Sequence, residues 1–251
     1  MGIFDKLGIG AGTGSNRDAG RQLPSENKKP SNGNGHVVAV GSNRAPEPHE
    51  VTRVSNGLKE FLWSLDGLGR GTLLDLGPAW QTTLSFFIDR GFRVTSDDLL
   101  RDWSQFLADE DAKDKGRTPT PETFAERTPE ARAKRFISQN LQYPTSSFDA
   151  LLLWDILDYL DPTLGKLLVA QLTELLRPGA AVFAMFHSKK PEGFQRYRVA
   201  DTNTIQVLSS KAIFPAQKVY QNREIQDLFS RYRSVKSFVG RDQLRENLFI
   251  K

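Results

Sequence analysis

Three short, mostly apolar runs constrain this chain more than anything else in it: Gly71-Thr-Leu-Leu-Asp-Leu-Gly77, Phe148-Asp-Ala-Leu-Leu-Leu-Trp154 and Ala180-Ala-Val-Phe-Ala-Met-Phe186. Each is too short for a helix of ordinary length, and none alternates polar with apolar residues as a half-exposed strand does. A strand covered on both faces reads this way, and such strands belong to parallel sheets flanked by helices. Helical patterns fall between the runs. This strand–helix alternation predicts an α/β fold: a Rossmann-like, mostly parallel, seven-stranded sheet with helices on both faces and a C-terminal antiparallel hairpin.

The remaining elements follow from periodicity and punctuation. Val54, Leu58, Phe61, Leu62 and Leu65 recur at helical spacing and stop at Gly67 and Gly69. Thr82 or Thr83 is expected to cap a helix with Leu84, Phe87 and Ile88 inside, ended by Gly91. Phe92–Ser96 reads as a strand closing on Asp97-Asp98, and Arg135-Phe-Ile-Ser138 as a third strand. Asp161 as N-cap and Pro162 at the first helical position open a helix with Leu164, Leu167, Leu168, Leu172, Leu175 and Leu176 buried. Asn222 is expected to cap a later helix. Val235–Val239 and Leu244–Ile250 should form the hairpin around Gly240-Arg-Asp242.

Composition separates this body (51–251) from what precedes it. Of the 43 residues from Gly8 to Glu50, 21 are Gly, Ser, Asn or Pro and none is aromatic. Such a stretch buries too little apolar surface to offset its ordering entropy, so 1–50 is expected to be a disordered arm. Its start, with Ile3, Phe4 and Leu7 at helical spacing, is amphipathic. It lacks the basic start and apolar run of a signal peptide, and Lys6 stands where a myristoylation motif needs Ser or Thr. No run is long enough to span a bilayer, so a cytoplasmic protein is expected. The absence of cysteine excludes disulfides, thiolate metal sites and a cysteine nucleophile. With three histidines, no metal site is expected, and a net charge of +4 gives no basic stripe for nucleic acid.

An open α/β sheet takes its ligand beyond the carboxyl ends of its strands, which gathers Asp75, Asp97-Asp98, Trp154-Asp155 and His187 around one crevice. At these residues the body resembles the class I S-adenosylmethionine-dependent methyltransferases. Leu73-Leu-Asp-Leu-Gly-Pro78 is similar to their first motif, and Gly91-Phe-Arg-Val-Thr-Ser-Asp-Asp98 resembles their second strand with its terminal acid. Tyr143–Trp154 resembles the run into strand four, and Leu176-Arg-Pro-Gly179 the turn before strand five. The resemblance implies S-adenosylmethionine as cofactor and methyl transfer to an acceptor, a small molecule being favoured over nucleic acid. Gly77 and Ala79 would let backbone approach the cofactor's amino-acid tail, next to Pro78, and Asp75 would accept from its amino group. Asp98, or Asp97 one residue earlier, would hold the ribose hydroxyls. Gln139 or Asn140 would meet the adenine edge in place of the acid often found there.

The sequence also departs from that pattern. Ala79 and Gln81, with Trp80 between them, stand where further glycines are usual, and Pro78 lacks a donor. Each candidate has a plainer role as well. Asp75 could cap a helix, Asp97-Asp98 could be a solvated turn, and Trp80, Trp103 and Trp154 could be core or pocket wall. Asp155 is a weak candidate general base that could instead satisfy backbone amides. His187, the other weak catalytic candidate, could be purely structural. Two long segments, 99–134 and 189–220, are where an acceptor cap is expected. The second contains Arg196–Val199 and Thr204–Leu208 as a possible covering hairpin, with Lys189, Lys190, Arg196 and Arg198 read as a solvated basic face. The alternative to an enzyme is a non-catalytic binding or scaffolding protein of the same fold.

Overall fold

A computed structural model describes residues 50–115 and 120–251 of the chain. The arm expected at 1–50 lies outside the described residues except for Glu50. The elements run β1 (Glu50–Val54), α1 (Asn56–Ser64), β2 (Gly71–Asp75), α2 (Gln81–Ile88), β3 (Phe92–Ser96), α3 (Leu99–Asp114), α4 (Pro121–Glu126), α5 (Pro129–Asn140) and β4 (Phe148–Trp154). A 3₁₀ turn (Ile156–Tyr159), α6 (Pro162–Leu175), β5 (Leu176–His187), β6 (Phe194–Val199), β7 (Thr204–Ser210), α7 (Asn222–Leu228), β8 (Ser234–Val239) and β9 (Leu244–Ile250) complete it.

The main sheet has six strands in the order β3-β2-β4-β5-β9-β8. β2 lies parallel to β3 and β4, and β4 parallel to β5, while β9 runs antiparallel to both β5 and β8. The three apolar runs are its central strands. Leu73, Leu74, Ala150, Leu152, Ala181 and Phe183 are sealed from solvent. α6 begins as expected, with Asp161 accepting from the Thr163 amide at 2.8 Å. Its buried Leu164, Leu168, Leu172 and Leu175 cover one face of the assembly, each stabilising it by about 1.5–3 kcal/mol.

The sheet has six strands rather than seven because the expected third strand is helical. Arg135-Phe-Ile-Ser138 lies inside α5, which Thr128 caps by accepting from the Ala131 amide and which Pro129 opens. Ala133, Phe136 and Ile137 then fall at i, i+3 and i+4 and turn inward together. Phe136 closes an aromatic cluster with Trp103 and Phe106 of α3, at ring separations of 4.9 and 5.5 Å. β3 is therefore an edge strand.

A second, three-stranded sheet takes the residues beyond the main one, in the order β1-β7-β6 and antiparallel throughout. The hairpin expected within 189–220 is present as β6–β7. Its third strand, β1, was not foreseen: Val54 ends a strand, and the helix starts after Ser55, whose hydroxyl accepts from the Leu58 amide. Other boundaries also move. Neither Thr82 nor Thr83 caps α2; Trp80 precedes it without a side-chain bond, Thr83 Oγ1 accepts from the Val199 amide, and Ile88 faces outward at 56% exposure. Gln221, not Asn222, caps α7 through a reciprocal bond with Glu224.

Candidate functional site

β2, β3 and β4 end side by side, and their terminal acids meet where the sequence placed them. Asp75 is fully buried at the end of β2. Its Oδ1 accepts from the Gly77 amide at 2.9 Å and from the Trp154 indole at 2.7 Å, while Oδ2 has no partner. Burial pushes this carboxyl up to about 6 against the two hydrogen bonds. Asp75 thus caps no helix. The glycine at 77 is required by the tryptophan, since a Cβ there would lie 2.7 Å from Trp154 Nε1. Pro78 is half-buried beside it and Ala79 faces solvent.

The acids after β3 are held by two different partners. Tyr143 donates to Asp97 Oδ2 at 2.5 Å. Asp98 precedes α3 without capping it; instead Arg196 of β6 grips it with two guanidinium nitrogens, at 2.9 and 3.1 Å. A fork on a carboxylate is the strong, directional form of this ion pair. Gln139 and Asn140 end α5, where Asn140 donates to the Phe136 carbonyl, and neither lines the crevice. The missing third strand removes the wall they were expected to share.

The mouth of β4 is occupied by Trp154 itself. Its backbone sits at φ +50°, a conformation unfavourable for a bulky side chain. The indole lies parallel to the Tyr197 ring at 5.8 Å and edge-on to Phe183 at 5.9 Å. The space left among Gly77, Pro78, Leu100, Trp154, Arg196 and Tyr197 is about 10 Å³. Ligand pockets are typically ~300–1,000 Å³. For S-adenosylmethionine, then, the chemistry of the donor set fits, with an unpartnered buried oxygen on Asp75 and a carboxylate pair after β3. The space does not.

A second polar group lies behind this crevice. Tyr197 donates to Asp155 Oδ2 at 3.0 Å, and His187 Nδ1 lies 3.9 Å from the same oxygen. Asp158 takes both the His187 amide, at 2.7 Å, and its Nδ1, at 2.9 Å. Burial raises Asp155 to about 7, with the nearby His187 charge opposing. Burial disfavours the charged His187 ring, yet the bond to Asp158 and the Asp155 carboxylate outweigh it and raise its pKa. His187 lines a cavity of about 180 Å³ with Arg53, Gln195, Ser209 and Asp242. Gln195 borders both spaces. Asp158, Tyr143, Arg196 and Tyr197 were missed as site residues: Arg196 read as a solvated charge, and the other three carried no local signal.

No protein-family model matches the sequence, and comparison with curated proteins finds no match. Among solved structures the chain is similar to a 1,6-didemethyltoxoflavin-N1-methyltransferase of Burkholderia thailandensis, at 16% identity over 78% of this chain and 79% of that one, with a TM-score of 0.41. It is also similar to a SAM-dependent methyltransferase of Aquifex aeolicus (12% identity, 78% and 90% covered, TM-score 0.41). A third similar structure is the N-methyltransferase NodS of Bradyrhizobium japonicum (12% identity, 77% and 93% covered, TM-score 0.39). These likenesses are too loose to carry an argument; strand order and direction are read from the chain itself. By its own topology, a parallel half joined to a closing antiparallel hairpin, the chain has the class I methyltransferase fold without that fold's third strand.

Proposed function

We propose that this protein is an S-adenosylmethionine-dependent methyltransferase acting on a small acceptor. The observation that carries the proposal is the convergence of Asp75, Asp97, Asp98 and Asp155 at the carboxyl ends of adjacent strands, where a sheet of this topology binds its ligand. Asp98 is the proposed ribose partner, with Asp97 beside it, and Asp75 Oδ2 the partner of the cofactor's amino group. The cofactor, when bound, supplies an activated methyl group, so the protein needs neither a thiol nor a metal of its own. On the acceptor side, His187 is the proposed proton acceptor. Asp158 fixes its Nδ1 and leaves the other ring nitrogen for a hydroxyl or amine held in the 180 Å³ cavity. Asp155, buried against Tyr197, steadies this pair and does not meet the acceptor.

The test is calorimetric titration with S-adenosylmethionine and S-adenosylhomocysteine, followed by labelled-methyl transfer to a panel of small hydroxyl and amine compounds. Binding that Asp98→Ala abolishes, with turnover that His187→Gln lowers, is the expected result. Absence of heat at millimolar ligand, in both the natural chain and a variant lacking the Arg196 side chain, would refute it. A second reading, a non-catalytic protein of this fold, is favoured by one observation: the crevice is filled by the chain's own side chains. Ligand binding without turnover on any acceptor would support that reading.

A further inference from the structure

We infer that the crevice is latched by an internal stand-in for its ligand: Arg196 on Asp98 and Trp154 on Asp75 occupy the two anchoring carboxylates, and a ligand enters only by exchanging with them. The inference rests on the proposed adenosyl ligand for its direction, although the latch itself is visible in the contacts.

Four observations converge. Arg196 comes from a strand 98 residues away and engages both oxygens of Asp98, with only 11% and 19% of the two side chains exposed. A solvated basic face would leave that arginine free. Trp154 puts its only donor on the Asp75 oxygen that also takes the Gly77 amide. It does so at a positive φ, which persists only where surrounding contacts over-determine it. The residue after Arg196, Tyr197, then covers the indole and bonds Asp155, so one strand closes the exits of β3 and β4 together. Finally, the 10 Å³ that remain are at most room for about one water molecule. The crevice is filled by side chains rather than awaiting solvent.

The anchoring of β6 is uneven. Its far end is tied to the body by the Val199 amide on Thr83. Its near end follows Pro191, Glu192 and Gly193, and a Cβ at Gly193 would meet nothing within 4 Å. Phe194 holds this near end by packing edge-on to Tyr159 at 4.9 Å, with the Arg196 guanidinium over its ring. β6 pairs with β7 along its whole length, so release of Asp98 frees the crevice-facing end of β6 to move with its hairpin while the far end keeps its tie to Thr83.

A latch of this kind lowers apparent affinity by the fraction of molecules in the open state, so removing it raises affinity by the inverse of that fraction. The experiment combines amide hydrogen exchange over 96–100, 152–156 and 194–199 with calorimetric binding of S-adenosylhomocysteine. It compares the natural chain, Arg196→Gln, and the swapped pair Asp98→Arg with Arg196→Asp. In Arg196→Gln, exchange over 194–199 is expected to rise about tenfold or more, with β8 and β9 unchanged, and affinity to rise by a similar factor. The swapped pair should restore protection while binding no ligand, and it keeps the test valid if the single variant folds poorly. Unchanged exchange in Arg196→Gln would overturn the latch whatever binds. Raised exchange with equal affinity in the two proteins would overturn its competition with the ligand. Raised exchange with no binding by any of the three would uphold the latch and overturn the adenosyl assignment.

Discussion

Replacing Asp155 by Asn should make the protein more stable, and more so as pH rises. The carboxyl is 3% exposed and carries a hydrogen bond from Tyr197 that an amide oxygen can also accept. Burial raises its pKa from 3.8 to about 7. Between those values the folded state holds a proton that the unfolded state has lost. The stability conferred by that proton is present below pH ~4 and is lost as pH rises through 7. A rise of about three pH units at ~1.4 kcal/mol each gives about 4 kcal/mol of strain in the ionised, alkaline form. Asparagine carries no charge at any pH and removes this contribution. Urea denaturation of both proteins at fixed ionic strength should show a difference of about 1 kcal/mol at pH 4.5, growing by about 3 kcal/mol at pH 8. Asp158 is common to both chains, while His187, whose pKa the Asp155 carboxylate raises, shifts with the substitution, so the growth reports on the coupled Asp155–His187 pair. A difference that stays flat with pH, or an Asp155→Asn chain that is the weaker one at pH 8, would refute the assignment of burial as the dominant influence.

Other substitutions probe other parts of the argument. Gly77→Ala should drive the indole of Trp154 off Asp75, lowering stability by roughly 1–3 kcal/mol and shifting tryptophan fluorescence; an unshifted spectrum would mean that the indole does not press on Gly77. Trp154→Phe should leave Asp75 with the Gly77 amide alone, costing ~1–3 kcal/mol, and its carboxyl midpoint, followed by carbon NMR, should rise above about 6. Phe136→Ala should cost ~3–5 kcal/mol by opening a cavity among Trp103 and Phe106, measured by denaturant unfolding. A loss below ~1 kcal/mol would place Phe136 at a surface and undo the account of α5.

What could be read from the sequence was what is encoded locally. β2, β4 and β5 were legible because strands covered on both faces must be apolar throughout, and α6 because Asp161 and Pro162 mark its start. The acids at the strand ends followed from the same runs. Arg135-Phe-Ile-Ser was misread because four residues with two apolar neighbours suit either period. Only Thr128-Pro129 upstream, and an aromatic partner on α3, decide for the helix. β1 was missed because its pairing with β7 joins residues some 150 positions apart. The two features that close the crevice were invisible for different reasons. Arg196 looks like any exposed charge until the fold brings Asp98 to it, and the backbone turn that aims Trp154 inward is not written in the identity of a tryptophan.

That turn has a practical consequence. Glycine is the residue that adopts φ +50° most freely, so Trp154→Gly would relax the backbone while emptying the mouth of β4. The void would be on the order of 150 Å³, walled by Phe183 and Tyr197 with the Asp75 carboxylate at one end, room enough for a small aromatic molecule that carries a donor. Free indole added to such a chain should refill the hole and return its N–H to Asp75, restoring the lost thermal stability in a dose-dependent way. A tryptophan that now fills the mouth of β4 would become a removable part, supplied from solution.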